Sequence, residues 1–248
     1  MSITAGPNVV SSGLVLCLDA ANPRSYPGSG TIWYDDSGNS NTGILTNGPT
    51  YNTANNGSLV FDGVDDYVSG TATPTNIKNL QAFSVFVWCK STSASPSRRY
   101  VYDGRGNKAA AQKNSGVGMG FDSGYSDNKI FNFMSGADGT YTEASSPTTF
   151  LNNQIYQLGI VRDANSATFQ VTDTDSTTLI TPSFSAPRMT ASTTVDLGEY
   201  CVGTYASSTP GGNYWWVGNV YLVLGYNRAL SQLEVTQNFN ALRGRYGI

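Results

Sequence analysis

Histidine is missing from this 248-residue chain. A Ser-His-Asp or Cys-His catalytic centre is therefore excluded, and so is a histidine-ligated zinc. Glutamate is nearly as scarce, with only Glu143, Glu199 and Glu234 present. Glycoside hydrolysis usually needs two carboxylates about 5–9 Å apart across the scissile bond. None of the three glutamates belongs to an alternating acidic motif. Asp173 and Asp175 do alternate, but in a Thr-Asp-Thr-Asp-Ser-Thr run that reads as a turn. Charge is thin overall: 12% of residues, 14 basic against 17 acidic, net −3. With a pI near 4.8 and no basic block, the chain lacks the clustered cations of a nucleic-acid binder. No apolar run approaches bilayer length, and Met1-Ser-Ile-Thr-Ala opens with neither a basic nor an apolar leader region. The expectation is a chain that folds in a reducing cytoplasm. Cys17, Cys89 and Cys201 are odd in number and far apart, without metal-ligand spacing, and read as free thiols.

What is present is β structure. Aromatics reach 12%, and apolar runs recur between turns rich in Gly, Asn, Ser and Pro. The length suits one large all-β domain. Strands are expected at Leu14–Asp19, Ser58–Gly63, Asp66–Val68, Phe83–Lys90, Tyr100–Asp103, Gly116–Phe121, Lys129–Met134, Ile155–Arg162, Ala167–Thr172, Thr194–Tyr200 and Val217–Leu224. The stretch 22–57 reads mostly as loop with one or two short strands, anchored by Trp33 and Tyr34. In Phe83–Lys90, Phe83, Val85, Val87 and Cys89 point one way, and Phe86 and Trp88 the other. Both faces are apolar, so this strand belongs inside a two-sheet sandwich. One helix is expected, from Ser231 to about Leu242. Ser231 and Glu234 have capping-box spacing, and Val235, Phe239 and Leu242 form one apolar stripe. Residues 1–12 read as an N-terminal lead-in or docking arm, and residues 13–248 as a single domain.

Four stretches, in order, resemble laminin-G-like domains of concanavalin A-like fold. They are Gly13-Leu-Val-Leu-Cys-Leu-Asp-Ala20, Asp36-Ser-Gly-Asn-Ser-Asn-Thr-Gly43, Leu59–Val68 joined to Phe83–Lys90, and the closing Gly218–Val235 with its Tyr-Asn-Arg-Ala-Leu-Ser turn. The resemblance implies a jelly-roll sandwich of two antiparallel sheets with one short C-terminal helix. Asp19–Trp33 and Thr46–Tyr51 resemble the version found in tailed-phage virion proteins of aquatic and cyanobacterial hosts. That implies a non-enzymatic virion structural protein, a capsid decoration protein or fibre component. Its partners would be other virion proteins or copies of itself, and its location the virion surface. Residues 1–12 and Tyr246-Gly-Ile248 would be its docking arms. The alternative is a lectin-like carbohydrate-binding module for host attachment, with calcium as a possible aid but no cofactor required.

Two sets of side chains could carry such binding. Gly211-Gly-Asn-Tyr-Trp-Trp216 puts three aromatics beside a glycine turn, so Tyr214, Trp215 and Trp216, with Tyr205, are the candidate sugar-binding residues. In an extended segment Tyr214 and Trp216 share a face, with Trp215 opposite. Core packing and subunit contact compete for the same aromatics. Calcium takes several oxygens from Asp, Asn and carbonyls. Asp35, Asp36 and Asn39 (with Asn41) form one oxygen-rich loop, and Asp62, Asp65 and Asp66 another. Asx turns explain such loops equally well. Related domains add an acid from the closing strand, where this chain has Tyr221 and Leu222. Arg98-Arg99 and Arg243-Gly-Arg245, the compact cationic spots, read as solvated surface or subunit salt bridges.

Overall fold

A computed structural model describes residues 7–70, 80–93, 98–104, 116–122, 129–135, 141–163, 167–173, 183–184, 200–205 and 214–247. Sixteen strands alternate through these residues. The first six are β1 (Leu14–Asp19), β2 (Ile32–Trp33), β3 (Gly43–Thr46), β4 (Thr50–Asn52), β5 (Ser58–Asp62) and β6 (Tyr67–Gly70). Then come β7 (Phe83–Ser91), β8 (Arg99–Asp103), β9 (Gly116–Asp122), β10 (Lys129–Ser135) and β11 (Tyr141–Thr149). The last are β12 (Ile155–Arg162), β13 (Ala167–Asp173), β14 (Ser183–Phe184), β15 (Cys201–Val202) and β16 (Val217–Tyr226), followed by helix α1 (Gln232–Leu242).

The strands form two antiparallel sheets of eight, the expected jelly-roll sandwich. The first runs β14-β13-β12-β7-β16-β5-β4. Its longest strand, β16, pairs β5 through Val217–Val220 and β1 through Leu222–Tyr226. The second runs β11-β10-β9-β8-β15-β6-β3-β2.

The two faces of β7 separate as its pleat requires. Phe83, Val85, Val87 and Cys89 enter the inter-sheet core with Leu18, Trp33, Phe61, Val101 and Trp216. Phe86 and Trp88 face outward into a second apolar cluster beneath α1, with Val235, Phe239 and Leu242. Trp88 stacks on Phe239 at 5.5 Å and meets Tyr246 at 4.7 Å. Burying one such side chain contributes roughly 1.5–3 kcal/mol. The helix starts where expected. Ser231 Oγ accepts the Glu234 amide N–H, and Glu234 Oε2 accepts the Ser231 amide N–H at 2.8 Å. Arg228, from the Tyr-Asn-Arg turn, grips the same carboxylate at 2.6 Å.

The 22–57 stretch carries three short strands: β2 pairs β3, β3 also pairs β6, and β4 pairs the following β5. Strand β11 was not anticipated. Its Pro147 sits on the outermost strand of the sheet among the described residues, at a register shift in the β10–β11 ladder, a place where a strand tolerates a missing donor. Thr194–Tyr200 lies outside the described residues except for Tyr200, and the strand observed there is Cys201–Val202. Residues 8–12, part of the expected lead-in or docking arm, hydrogen-bond to their own chain. Val10 N–H donates to Asn238, the Tyr226 hydroxyl to the Val10 carbonyl, and Gln237 to the Asn8 carbonyl. Tyr246, at the other end, is buried against Trp88 and Tyr221.

Candidate functional site

Among the four aromatics expected to bind sugar, the structure brings two together. Ile130 belongs to the inter-sheet core, so its neighbour Phe131 faces the opposite side of the second sheet. Tyr100 packs edge-on against Phe131 at 4.9 Å. Tyr205, following β15, and Tyr214, preceding β16, close over Tyr100 at 5.5 and 5.9 Å and lie 6.0 Å from each other. Arg98, Tyr100, Tyr205 and Tyr214 line a cleft of about 390 Å³. The Tyr100 amide N–H donates to the Tyr214 carbonyl, which fixes the mouth to β8.

Trp215 and Trp216 go elsewhere. Trp216 is 0% exposed, set edge-on to Phe121 at 5.1 Å in the core, and offers no face to a ligand. Trp215 is half-buried against Tyr67 at 6.2 Å. Tyr214 lines the cleft while Trp216 enters the core, so the extended-chain pattern that put the two on one face does not hold.

Arg98 was expected to be solvated or to reach another subunit. It is instead the charged centre of the cleft wall. Its Nε and Nη2 donate to Asp122 Oδ2 at 3.0 and 2.7 Å. Its Nη1 and Nη2 donate to Glu143 at 2.9 and 2.6 Å. The guanidinium lies 4.4 Å from the centre of the Phe131 ring, a cation–π contact. Burial acts to lower the Arg98 pKa, but the Glu143 and Asp122 bonds outweigh it and hold the group firmly cationic. Both Glu143 oxygens are occupied by Arg98, so this carboxylate is not poised as a nucleophile or general acid. Glu199 lies outside the described residues, and Glu234 belongs to the helix cap. Arg99 is also corrected. It is 1% exposed, donating to Ser91 Oγ at 2.9 Å and the Ser93 carbonyl at 2.6 Å, and burial lowers its pKa to about 10. Arg245 pairs with Asp19 at 2.6 Å within the chain.

The two oxygen-rich loops differ. Asp35 accepts the amide N–H groups of Cys17, Ser37 and Asn41 and the Ser37 hydroxyl, so its carboxylate is spent on holding the loop. Asp36 accepts from Asn22, and the Asn39 amide donates to the Leu14 and Ser37 carbonyls. That loop does not fit a cation. Asp62, Asp65 and Asp66 bring three carboxylate oxygens within 4.8 Å of one another. Asp66 is 4% exposed, and burial raises its pKa. Its Oδ2 accepts the Asp62 amide N–H, and Asp62 Oδ1 accepts that of Val64. The trio could supply part of the six to eight oxygens calcium takes. No closing-strand acid adds to it, because Tyr221 and Leu222 are buried beneath the C-terminal helical turn.

No protein-family model matches the sequence, and no curated protein sequence matches it. Solved structures do share its fold. The binding domain of Paraclostridial Mosquitocidal Protein 1 superposes with a TM-score of 0.64 at 15% identity, over 92% of this chain and 52% of that one. The botulinum neurotoxin serotype D binding domain gives 0.65 at 12%, over 96% and 51%. Trypanosoma rangeli sialidase, in complex with the inhibitor DANA, gives 0.62 at 15%, over 97% and 34%. At these identities the likeness is one of fold, a jelly-roll β-sandwich. The chain spans about half the length of the toxin binding domains and a third of the sialidase.

Proposed function

We propose that this chain is a lectin-like carbohydrate-binding module whose sugar site is the cleft of Arg98, Tyr100, Tyr205 and Tyr214. The observation that carries the reading is the convergence of three tyrosine rings on one open cleft. Aromatic faces with a few polar groups are the make-up of small-ligand sites, and tyrosine brings an apolar ring and a hydroxyl together. Two of the structures sharing the fold are binding domains, which supports the reading at the level of fold. The reading is one of binding without catalysis, supported by the lack of histidine and by the commitment of Glu143 to Arg98. Binding does not require calcium, since the acidic trio is not among the described residues lining the cleft. A glycan array on the wild type, repeated with Tyr205→Ala and Tyr214→Ala, tests the reading. Each variant is expected to lose about tenfold or more in affinity, as for central anchors of a binding surface. Binding that survives both variants, or no binding to any glycan, would refute it.

A second reading, as a surface component of a virion, is supported by a different observation. Ile32 and Ile44 stand opposite each other on the β2–β3 edge, and both are exposed, as is the neighbouring Tyr34. An apolar strand edge invites pairing with a further copy or another virion protein. Images of purified particles showing many symmetric copies would support this reading, and absence from particles would remove it.

A further inference from the structure

We propose that the tyrosine cleft selects neutral sugars over acidic ones, because the cation in its wall is already saturated by carboxylates of its own chain. The inference rests on the carbohydrate-binding reading and deepens it. A guanidinium has five N–H donors. In Arg98, Nε and Nη2 reach Asp122, and Nη1 and Nη2 reach Glu143, so four donors are committed at 2.6–3.0 Å. Its flat side lies over Phe131. The bidentate edge by which arginine recognises a sugar carboxylate is therefore occupied.

The surrounding charge points the same way. Lys129 stands opposite Asp122 in the β9–β10 register. Arg98 and Lys129 thus stand beside the carboxylates of Asp122 and Glu143. An incoming carboxylate would meet Glu143, whose side chain is partly exposed, before it met an available donor. A neutral sugar makes no such demand. It needs only the tyrosine rings and hydroxyls at the mouth.

The test uses oligosaccharide pairs matched in linkage and length, cello- against cellouronic and manno- against mannuronic oligosaccharides. Affinities are measured for the wild type, Glu143→Gln and Tyr214→Ala. The wild type should favour the neutral member. Glu143→Gln keeps one acceptor oxygen, frees the other donor and leaves a surplus cation, so it should move the acidic-to-neutral ratio by about three- to tenfold towards the acidic member. In the wild type, raising the salt should narrow the preference by screening Glu143, a measurement independent of whether the variant folds. A wild-type preference for acidic sugars overturns the inference. So does a ratio unmoved by Glu143→Gln in a folded variant, or a preference indifferent to salt. In those cases loss of binding in Tyr214→Ala leaves the carbohydrate reading standing. No binding of either member of any pair overturns both.

Discussion

Gly218 is where the closing strand can least accept a side chain. It opposes Ser91 on β7 and has φ +134°, a backbone conformation that L-residues avoid. A Cβ there would lie 2.1 Å from the Lys90 carbonyl oxygen and 3.0 Å from Ser91 Cα. Both obstacles are backbone atoms of a central strand, so neither can rotate away. Gly218→Ala therefore combines backbone strain of about 1–3 kcal/mol with an overpacking cost of about 1–3 kcal/mol. A total near 3–4 kcal/mol is expected, lowering the melting temperature by roughly 10 °C in a chain of this size. Gly30 is the control. Its φ is +93°, yet nothing lies within 4 Å of its missing Cβ. Gly30→Ala should cost only about 1 kcal/mol. Thermal and urea unfolding of the two variants separates steric from conformational cost. A Gly218→Ala protein as stable as Gly30→Ala would refute the β7–β16 packing on which both clusters depend.

Other perturbations have equally definite outcomes. Trp216→Ala should destabilise the fold by about 3–5 kcal/mol, while glycan affinity per folded molecule, measured by calorimetry, stays within reach of wild type. Arg228 and the Ser231 amide hold the Glu234 pKa down to about 2, from an ordinary value near 4.5. Its contribution is therefore complete above pH 4.5 and lost as the pH falls through about 2. After solvent screening that amounts to about 1 kcal/mol, and unfolding curves of Glu234→Gln should lack this acid-dependent step. Burial, helped by Asp19, Asp36 and Asp35, pushes the Cys17 thiol up to about 12. At mild alkaline pH a thiolate-specific reagent should therefore label Cys17 about a thousandfold more slowly in the folded than in the unfolded chain. Sugar binding should be unchanged by EDTA; a loss restored by calcium would bring Asp62, Asp65 and Asp66 into the site.

The sandwich was legible where local pattern and global burial agree. Phe83–Lys90 shows its two apolar faces at period two because the pleat leaves no other arrangement. Ser231 and Glu234 mark a helix start because the capping box is closed by residues three apart. Strands β2, β3 and β4 were hidden because they are two to four residues long, too short to show a period, and β3 is completed by the non-consecutive β6. The cleft was half legible. Tyr205 and Tyr214 stood out as loop aromatics, but nothing local distinguishes Tyr214 from the buried Trp216 two residues on. Arg98 could not be read at all, because its carboxylates come from positions 24 and 45 residues away. Only the register of β8 to β11 brings them to one face.

The central claim is that the tyrosine cleft is the sugar site. Mapping NMR shift changes on titration with neutral cello- and manno-oligosaccharides tests it on the unaltered protein. The perturbed resonances should centre on the rings of Tyr100, Tyr205 and Tyr214 and the guanidinium of Arg98. Shifts centred instead on Trp215 and the Asp62–Asp66 turn, or none at saturating sugar, would contradict it.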